Sequence, residues 1–259
     1  MQIRLDGKRA IVTGAGRGIG RAIAQSLHDA GARVGLIALE ADELAAASAA
    51  MGQAPWQAAD LTDADALKAA WQALTAELGA PDVLVHSAGF FDFGRTPEFG
   101  RERWDRLLSV HLDAAFELVR LALPAMSQAG WGRVVIVSSI SGRAGETYAV
   151  GYSAAKAGLV GMAQSLAKEF ARQGVTVNAL CPGWVDTRLA QAQLTDPAYL
   201  ALTEQNAEDA MRWALSEIPQ GRFVAPEEVG ALATFLASPL AASITGQAIH
   251  IDGGMSIRA

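Results

Sequence analysis

One cysteine, Cys181, is all the chain has, which excludes an internal disulfide and any cysteine-rich metal site. Basic residues are also in the minority. Lys and Arg number 21 against 27 Asp and Glu, a net charge of −6, so the footprint of a nucleic-acid binder is missing. No apolar run reaches the roughly 18 residues that a membrane helix needs, and no membrane partner is expected. The opening MQIRLDGKRAIVTG holds no apolar stretch ending in a cleavage site. No secretory signal is therefore expected, and the cytoplasm is the compartment that remains. Low-complexity linkers and repeat periods are absent as well. Over 259 residues, 51% hydrophobic and 19% charged content can supply one large core, so a single domain spanning 1–259 is expected.

Short β-branched runs alternate with longer Ala-rich amphipathic segments from start to finish. They predict strands at 10–13, 33–38, 56–59, 83–87, 133–138, 176–181 and 248–251. Helices are predicted at 19–30, 43–50, 64–78, 101–126, 152–172 and 226–236. Strands that read as apolar on both faces suit a parallel sheet covered by helices. The order therefore predicts a doubly wound seven-stranded α/β fold with ligands at the carboxyl ends of its strands. Residues 186–220 form a polar, helix-prone insertion, read as a mobile lid and not as a second domain.

Two stretches carry chemistry. The first, Thr13-Gly14-Ala15-Gly16-Arg17-Gly18-Ile19-Gly20, joins the first strand to the first helix. Glycines there allow a sharp turn and a close backbone approach to a pyrophosphate, and the helix N-terminus adds partial positive charge. A tight turn alone would explain a glycine loop; its position makes dinucleotide binding the better reading. The second stretch runs from Ser139 to Lys156. Tyr152 and Lys156 lie four apart and share a helix face, with Ser139 at a strand exit where its hydroxyl can turn toward them. A hydroxyl, a phenol and an ammonium together suit proton transfer between a carbonyl and an alcohol. Each alone would be a surface contact or a turn residue.

Together the two stretches resemble the short-chain dehydrogenase/reductase family. Its glycine motif falls on Thr13, Gly14, Gly18 and Gly20, its serine on Ser139, and its Tyr-x3-Lys on Tyr152 and Lys156. Pro182-Gly183 and a closing Asp252-Gly253-Gly254 come after them in order, so the likeness covers nearly the whole chain. The resemblance implies an NAD(P)-dependent oxidoreductase with a Rossmann fold that interconverts a ketone and a secondary alcohol. Tyr152 would be its general acid or base, Lys156 the holder of the nicotinamide ribose, and Ser139 the donor to the substrate oxygen. The segment around 178–222 is similar to that of polyketide ketoreductases and 3-hydroxybutyrate dehydrogenases. Ketone reduction is favoured over a hydroxy-acid or alcohol dehydrogenase using NAD, and a non-catalytic dinucleotide sensor is the rival from another class. A homotetramer is implied.

Cofactor contacts are expected from Gly14, Arg17, Gly18, Ile19, Gly20, Ala38, Asp60, Leu61, Ser87, Ala88, Gly89, Tyr152, Lys156, Pro182, Gly183, Val185 and Thr187. Ala38 stands where the family carries an aspartate, and Arg17 could pair with a 2′-phosphate, so NADP is weakly favoured over NAD. Glu40 could instead bind ribose hydroxyls or simply begin a helix. Asp60 is read against a helix N-cap, a role that Thr62 fits better. His86 and Ser87 replace the family's paired asparagines, which puts its usual bracing between strands in question. No metal pattern surrounds His86. His111 replaces another asparagine and is a candidate catalytic relay, since imidazole titrates near neutrality; a bond to a neighbouring backbone group is the bland alternative. A nearby Lys156 is expected to lower the Tyr152 pKa from about 10. Phe90, Phe91, Phe93, Tyr148 and Trp184 are candidates for the substrate pocket, with Leu189, Leu194, Tyr199, Met211, Trp213 and Leu215 on the lid. Arg143 and Arg188 are candidate anchors for a carboxylate or phosphate.

Overall fold

The computed structural model describes residues 3–257. In chain order it comprises β1 (Arg9–Thr13), α1 (Gly18–Asp29), β2 (Arg33–Ala38), α2 (Ala41–Ala50), β3 (Trp56–Ala58), α3 (Ala64–Leu78) and β4 (Val83–His86). Next come α4 (Arg101–Leu108), α5 (Ala114–Ala129), β5 (Gly132–Val137), α6 (Ser141–Ala144), α7 (Val150–Phe170) and β6 (Val175–Pro182). The chain closes with α8 (Arg188–Thr195), α9 (Pro197–Thr203), α10 (Ala207–Ser216), α11 (Pro226–Ala237) and β7 (Ala248–Ile251).

All seven strands run parallel in the order β3-β2-β1-β4-β5-β6-β7. Side chains alternate across the sheet because the strand period is two. Val12, Leu36, Val85, Val135 and Val137 point to one layer, packed with Ile23, Leu27, Leu44 and Leu236 from α1, α2 and α11. Ile11, Ile37, Leu84, Val134 and Ile136 point to the other, packed with Leu74, Leu118, Val119 and Leu159 from α3, α5 and α7. Both faces are dry, which is why these strands read as continuous apolar runs. The order reverses between β1 and β4, the switch point beside which a doubly wound sheet takes its ligands at the carboxyl ends of the strands.

One helix differs from the sequence expectation, while the insertion is helical as expected. The single helix predicted at 101–126 is α4 and α5 joined by a π-helical turn, Ser109–Asp113. One extra residue in the turn rotates α5 relative to α4, and it carries His111 into the interior. The insertion at 186–220 is three helices, α8 to α10, with an apolar cluster of their own. Leu194, Ala210 and Ala214 are buried there, with Trp184, Leu200, Met211 and Phe223 packed on them.

Candidate active site

The glycine turn takes its shape from contacts that only a missing side chain allows. Gly14 has φ +65°, and a Cβ there would come within 2.8 Å of the Ala88 amide nitrogen. A Cβ on Gly20 would collide with the Gly14 carbonyl oxygen. These contacts press α1 onto the turn and the turn onto the end of β4. Arg17 occupies the N-cap of α1 and no side chain caps the helix, which leaves its first amides directed at whatever binds beside the switch point. A Cβ on Gly18 would touch the methyl of Thr187 at 3.4 Å, so the turn also meets the start of the α8–α10 insertion.

At the other side of the switch point, β5 delivers Ser138 and Ser139 to α6, and α7 presents Tyr152 and Lys156. The Lys156 backbone carbonyl accepts from Ser138 Oγ at 2.8 Å, and its Nζ donates to the Val137 carbonyl at 2.9 Å. Lys156 is 5% exposed, and burial pulls its pKa from 10.5 down to about 7. Tyr152 keeps part of its surface in the cavity. Its pKa is raised, first by burial and then by the Glu146 carboxylate, against an opposing hydrogen bond from Ser139. This reverses the expectation that Lys156 lowers it. Lys156 Nζ donates to Val137 while standing 5.5 Å from the Tyr152 ring centroid, and burial disfavours the phenolate, the form that loses most on leaving water.

A cavity of about 980 Å³ brings together Ile19, Ser139, Tyr152, Pro182, Gly183, Val185 and Thr187 from among the expected residues. Phe91, Tyr148, Trp184, Leu189, Tyr199 and Trp213 line it too. Phe91 packs its ring on Tyr152 at 5.1 Å and faces Tyr199 of α9 at 6.5 Å, linking the reactive phenol to the inserted helices. Lys156 and His111 lie behind the lining. Gly14, Arg17, Gly18, Gly20, Ala38, Asp60, Leu61, Ser87, Ala88 and Gly89 lie outside this cavity but succeed or end β1 to β4, along the same edge of the sheet.

Several expectations change in detail. Asp60 does not cap α3, and neither does Thr62. Asp63 does, accepting from the amides of Asp65 and Ala66, while Asp60 takes the amide and hydroxyl of Thr62. Glu40 stands exposed at the N-cap of α2 without a capping bond. Arg17 is paired with Glu43 at 3.2 Å, and Arg188 meets the same carboxylate at 3.1 Å. Leu61 is a core residue.

His86 supplies the bracing that the missing asparagines left in question. Its Nε2–H donates to the His111 carbonyl at 3.0 Å, so its Nδ1 accepts the Thr13 hydroxyl at 3.0 Å. Thr13 Oγ1 in turn accepts the amides of Ser87 and Ala88. Buried and beside Lys156, His86 has a pKa pulled down to about 3 and stays neutral.

His111 Nε2–H donates to the Phe90 carbonyl at 2.9 Å, the bland partner the sequence allowed. Its Nδ1 is buried without a hydrogen-bond partner among the described residues, and its ring stands 5.5 Å from that of Tyr152. Burial and Lys156 push its pKa well below 6.5, which corrects the expectation of titration near neutrality. Sequence reasoning did not single out Glu146 and Gln193, which also line the cavity. An isolated acid and amide have no pattern to find them by. No cluster of His, Cys, Asp or Glu suited to a metal occurs among the described residues.

Comparison with known proteins agrees with this geometry. The family profile described as Enoyl-(Acyl carrier protein) reductase matches residues 14–256. The D-beta-hydroxybutyrate dehydrogenase of Cupriavidus necator is 38% identical over 255 residues, covering 96% of this chain and 98% of that protein. The 3-oxoacyl-[acyl-carrier-protein] reductase FabG of Vibrio harveyi is 36% identical over 254 residues, covering 98% and 99%. A solved structure of an actinorhodin polyketide ketoreductase variant with NADPH superposes with a TM-score of 0.92 at 34% identity, covering 97% and 98%. Likeness of this depth over the whole chain makes it a member of the short-chain dehydrogenase/reductase family of oxidoreductases.

Proposed function

We propose that the protein reduces a ketone to a secondary alcohol, with NADP as hydride carrier and Tyr152 as proton donor. The observation that carries the reading is the Tyr152 phenol, open to the same cavity as the Ser139 hydroxyl and one helical turn from a buried lysine. The dinucleotide, when bound, supplies the hydride and a positively charged ring once it is oxidised. The uncapped N-terminus of α1 and the glycine turn are shaped for its pyrophosphate, and Thr187 and Lys156 stand ready for its other end.

Ser139 is oriented for the substrate oxygen. Its Oγ accepts the Ser141 amide at 3.1 Å, which leaves its hydroxyl hydrogen free to turn from Ser141 Oγ to a carbonyl. Tyr152 then gives its proton to the oxygen that gains charge as the hydride arrives. A protonated phenol is the form that reduction needs, and alcohol oxidation would use the same group as its base. Leu189, Tyr199 and Trp213 would exclude water as α8 to α10 act as a lid on a single domain.

Three features favour NADP. Ala38 removes the carboxylate that would repel a 2′-phosphate. Arg17 and Arg188 flank a single acid, Glu43, near the start of α2. The actinorhodin ketoreductase neighbour was solved with NADPH. A tetramer in the cytoplasm fits the family, and exposed Phe116 on α5 and Leu240 near the C-terminus suit subunit contacts.

Mixing the protein with NADPH or NADH and a panel of ketones, while monitoring nicotinamide absorbance, tests the reading. Faster turnover with NADPH is expected. A strong NADH preference with hydroxy acids would favour the dehydrogenase reading, and binding without turnover of any ketone would favour the sensor.

A further inference from the structure

Proton transfer from Tyr152 does not need the carboxylate of Glu146, yet that carboxylate lines the same cavity. Glu146 lies between α6 and α7, and its amide donates to Ser153 Oγ at 3.1 Å. Its Oε2 accepts from Ser141 Oγ at 2.7 Å, and its Oε1 accepts from Gln193 Nε2 of α8 at 3.4 Å. Both partners are neutral, and among the described residues no cation acts on the carboxylate. Burial raises its pKa against those two hydrogen bonds.

A carboxylate taken from water and given only neutral donors gains from any further donor a ligand brings. Glu204 and Arg143, one of each charge, also line the cavity and are both exposed, which leaves Glu146 as the acid drawn out of water there. Ser141 Oγ is within hydrogen-bond reach of both Ser139, at 3.2 Å, and Glu146. Through Ser141, Glu146 stands two hydrogen bonds from Ser139, and its charge acts on Tyr152, so it neighbours the carbonyl that those two residues would hold.

We infer that the substrate carries a hydrogen-bond donor, a hydroxyl or an ammonium, close to its ketone, and that Glu146 accepts from it. Ketones bearing a carboxylate at that position are rejected by the same group. The inference rests on the ketone-reducing reading above and narrows it. It also sets this chain apart from the substrate named for the Cupriavidus relative.

A matched series of phenyl ketones PhCOCH2X tests it: propiophenone, phenacyl alcohol, phenacylamine and benzoylacetate. They differ only in a methyl, a hydroxyl, an ammonium or a carboxylate at X. In the wild-type enzyme, kcat/KM for the alcohol and the amine should exceed that for propiophenone by about tenfold or more, with benzoylacetate lowest. In Glu146→Gln the amine-to-propiophenone ratio should fall about tenfold, and benzoylacetate should rise relative to propiophenone. Preference for benzoylacetate, or equal rates across the wild-type series, would overturn the inference while ketone reduction stood. So would an equal loss for all four substrates in Glu146→Gln, which would reduce Glu146 to a prop for Ser141. Absence of turnover with these and every other ketone would remove the ketone-reducing reading and this inference with it. Should the variant fail to fold, the wild-type series decides alone.

Discussion

Replacing Lys156 with methionine should stabilise the cofactor-free protein while removing its activity. The Lys156 ammonium is 5% exposed and donates to the Val137 carbonyl at 2.9 Å. Its pKa falls from 10.5 in the unfolded chain to about 7 in the fold. Between those values the unfolded chain holds a proton that the folded one lacks. Stability is therefore lost as pH falls from 10.5 to about 7, and the full cost persists below. At 1.36 kcal/mol per pH unit, that cost is about 5 kcal/mol. Methionine keeps much of the apolar stem and needs no charge. It forfeits the hydrogen bond and leaves the Val137 oxygen short of a donor, a loss of about 2–3 kcal/mol. The variant should be more stable by about 2 kcal/mol at pH 6, a rise in Tm of roughly 4–8 °C. Urea unfolding at pH 6 and pH 10 would measure it, and the advantage should reverse by pH 10, where little charge cost remains and the lost hydrogen bond leaves the variant about 2 kcal/mol less stable. A variant less stable than wild type at pH 6, or a difference that ignores pH, would refute the reasoning.

Other expectations concern the same site. Tyr152→Phe should lower turnover by about a thousandfold or more while dinucleotide binding, read from nicotinamide fluorescence, persists. Because the phenol pKa is raised, alcohol oxidation should climb with pH through the alkaline range, whereas Tyr152 imposes no loss on ketone reduction there; initial rates in both directions check this. Ala38→Asp should shift the NADPH-to-NADH ratio of kcat/KM toward NADH by about tenfold or more, through repulsion of the 2′-phosphate. His86→Ala should cost about 2–4 kcal/mol in urea unfolding, since it strands the Thr13 hydroxyl and the His111 carbonyl and opens a gap between β1 and β4.

The five inner strands were legible because they are buried on both faces, the partly exposed edge strands β3 and β7 because turn residues bound them, and the glycine turn because its spacing is fixed by backbone contact. Ser139, Tyr152 and the cavity residues after β6 could be placed from motif order alone. Features that escaped the sequence depend on distance across the fold. The π turn at Ser109–Asp113 adds one residue to an otherwise unbroken helical pattern, so nothing local announces that His111 turns inward. His86 looked like a lost asparagine because its partners, Thr13 and His111, lie 73 and 25 residues away. The raised pKa of Tyr152 reversed expectation for a similar reason. Helical spacing brings Lys156 close, but the burial that outweighs it and the approach of Glu146 are tertiary facts. Glu146 itself sits in a small-residue loop where a solvated acid would be the ordinary reading.

The most direct measurement tracks nicotinamide absorbance as wild type and Tyr152→Phe each meet NADPH and a ketone such as phenacyl alcohol. Wild type should oxidise NADPH steadily, and the variant should show near-background rates although it still binds the dinucleotide. Comparable rates in the two proteins would contradict this expectation.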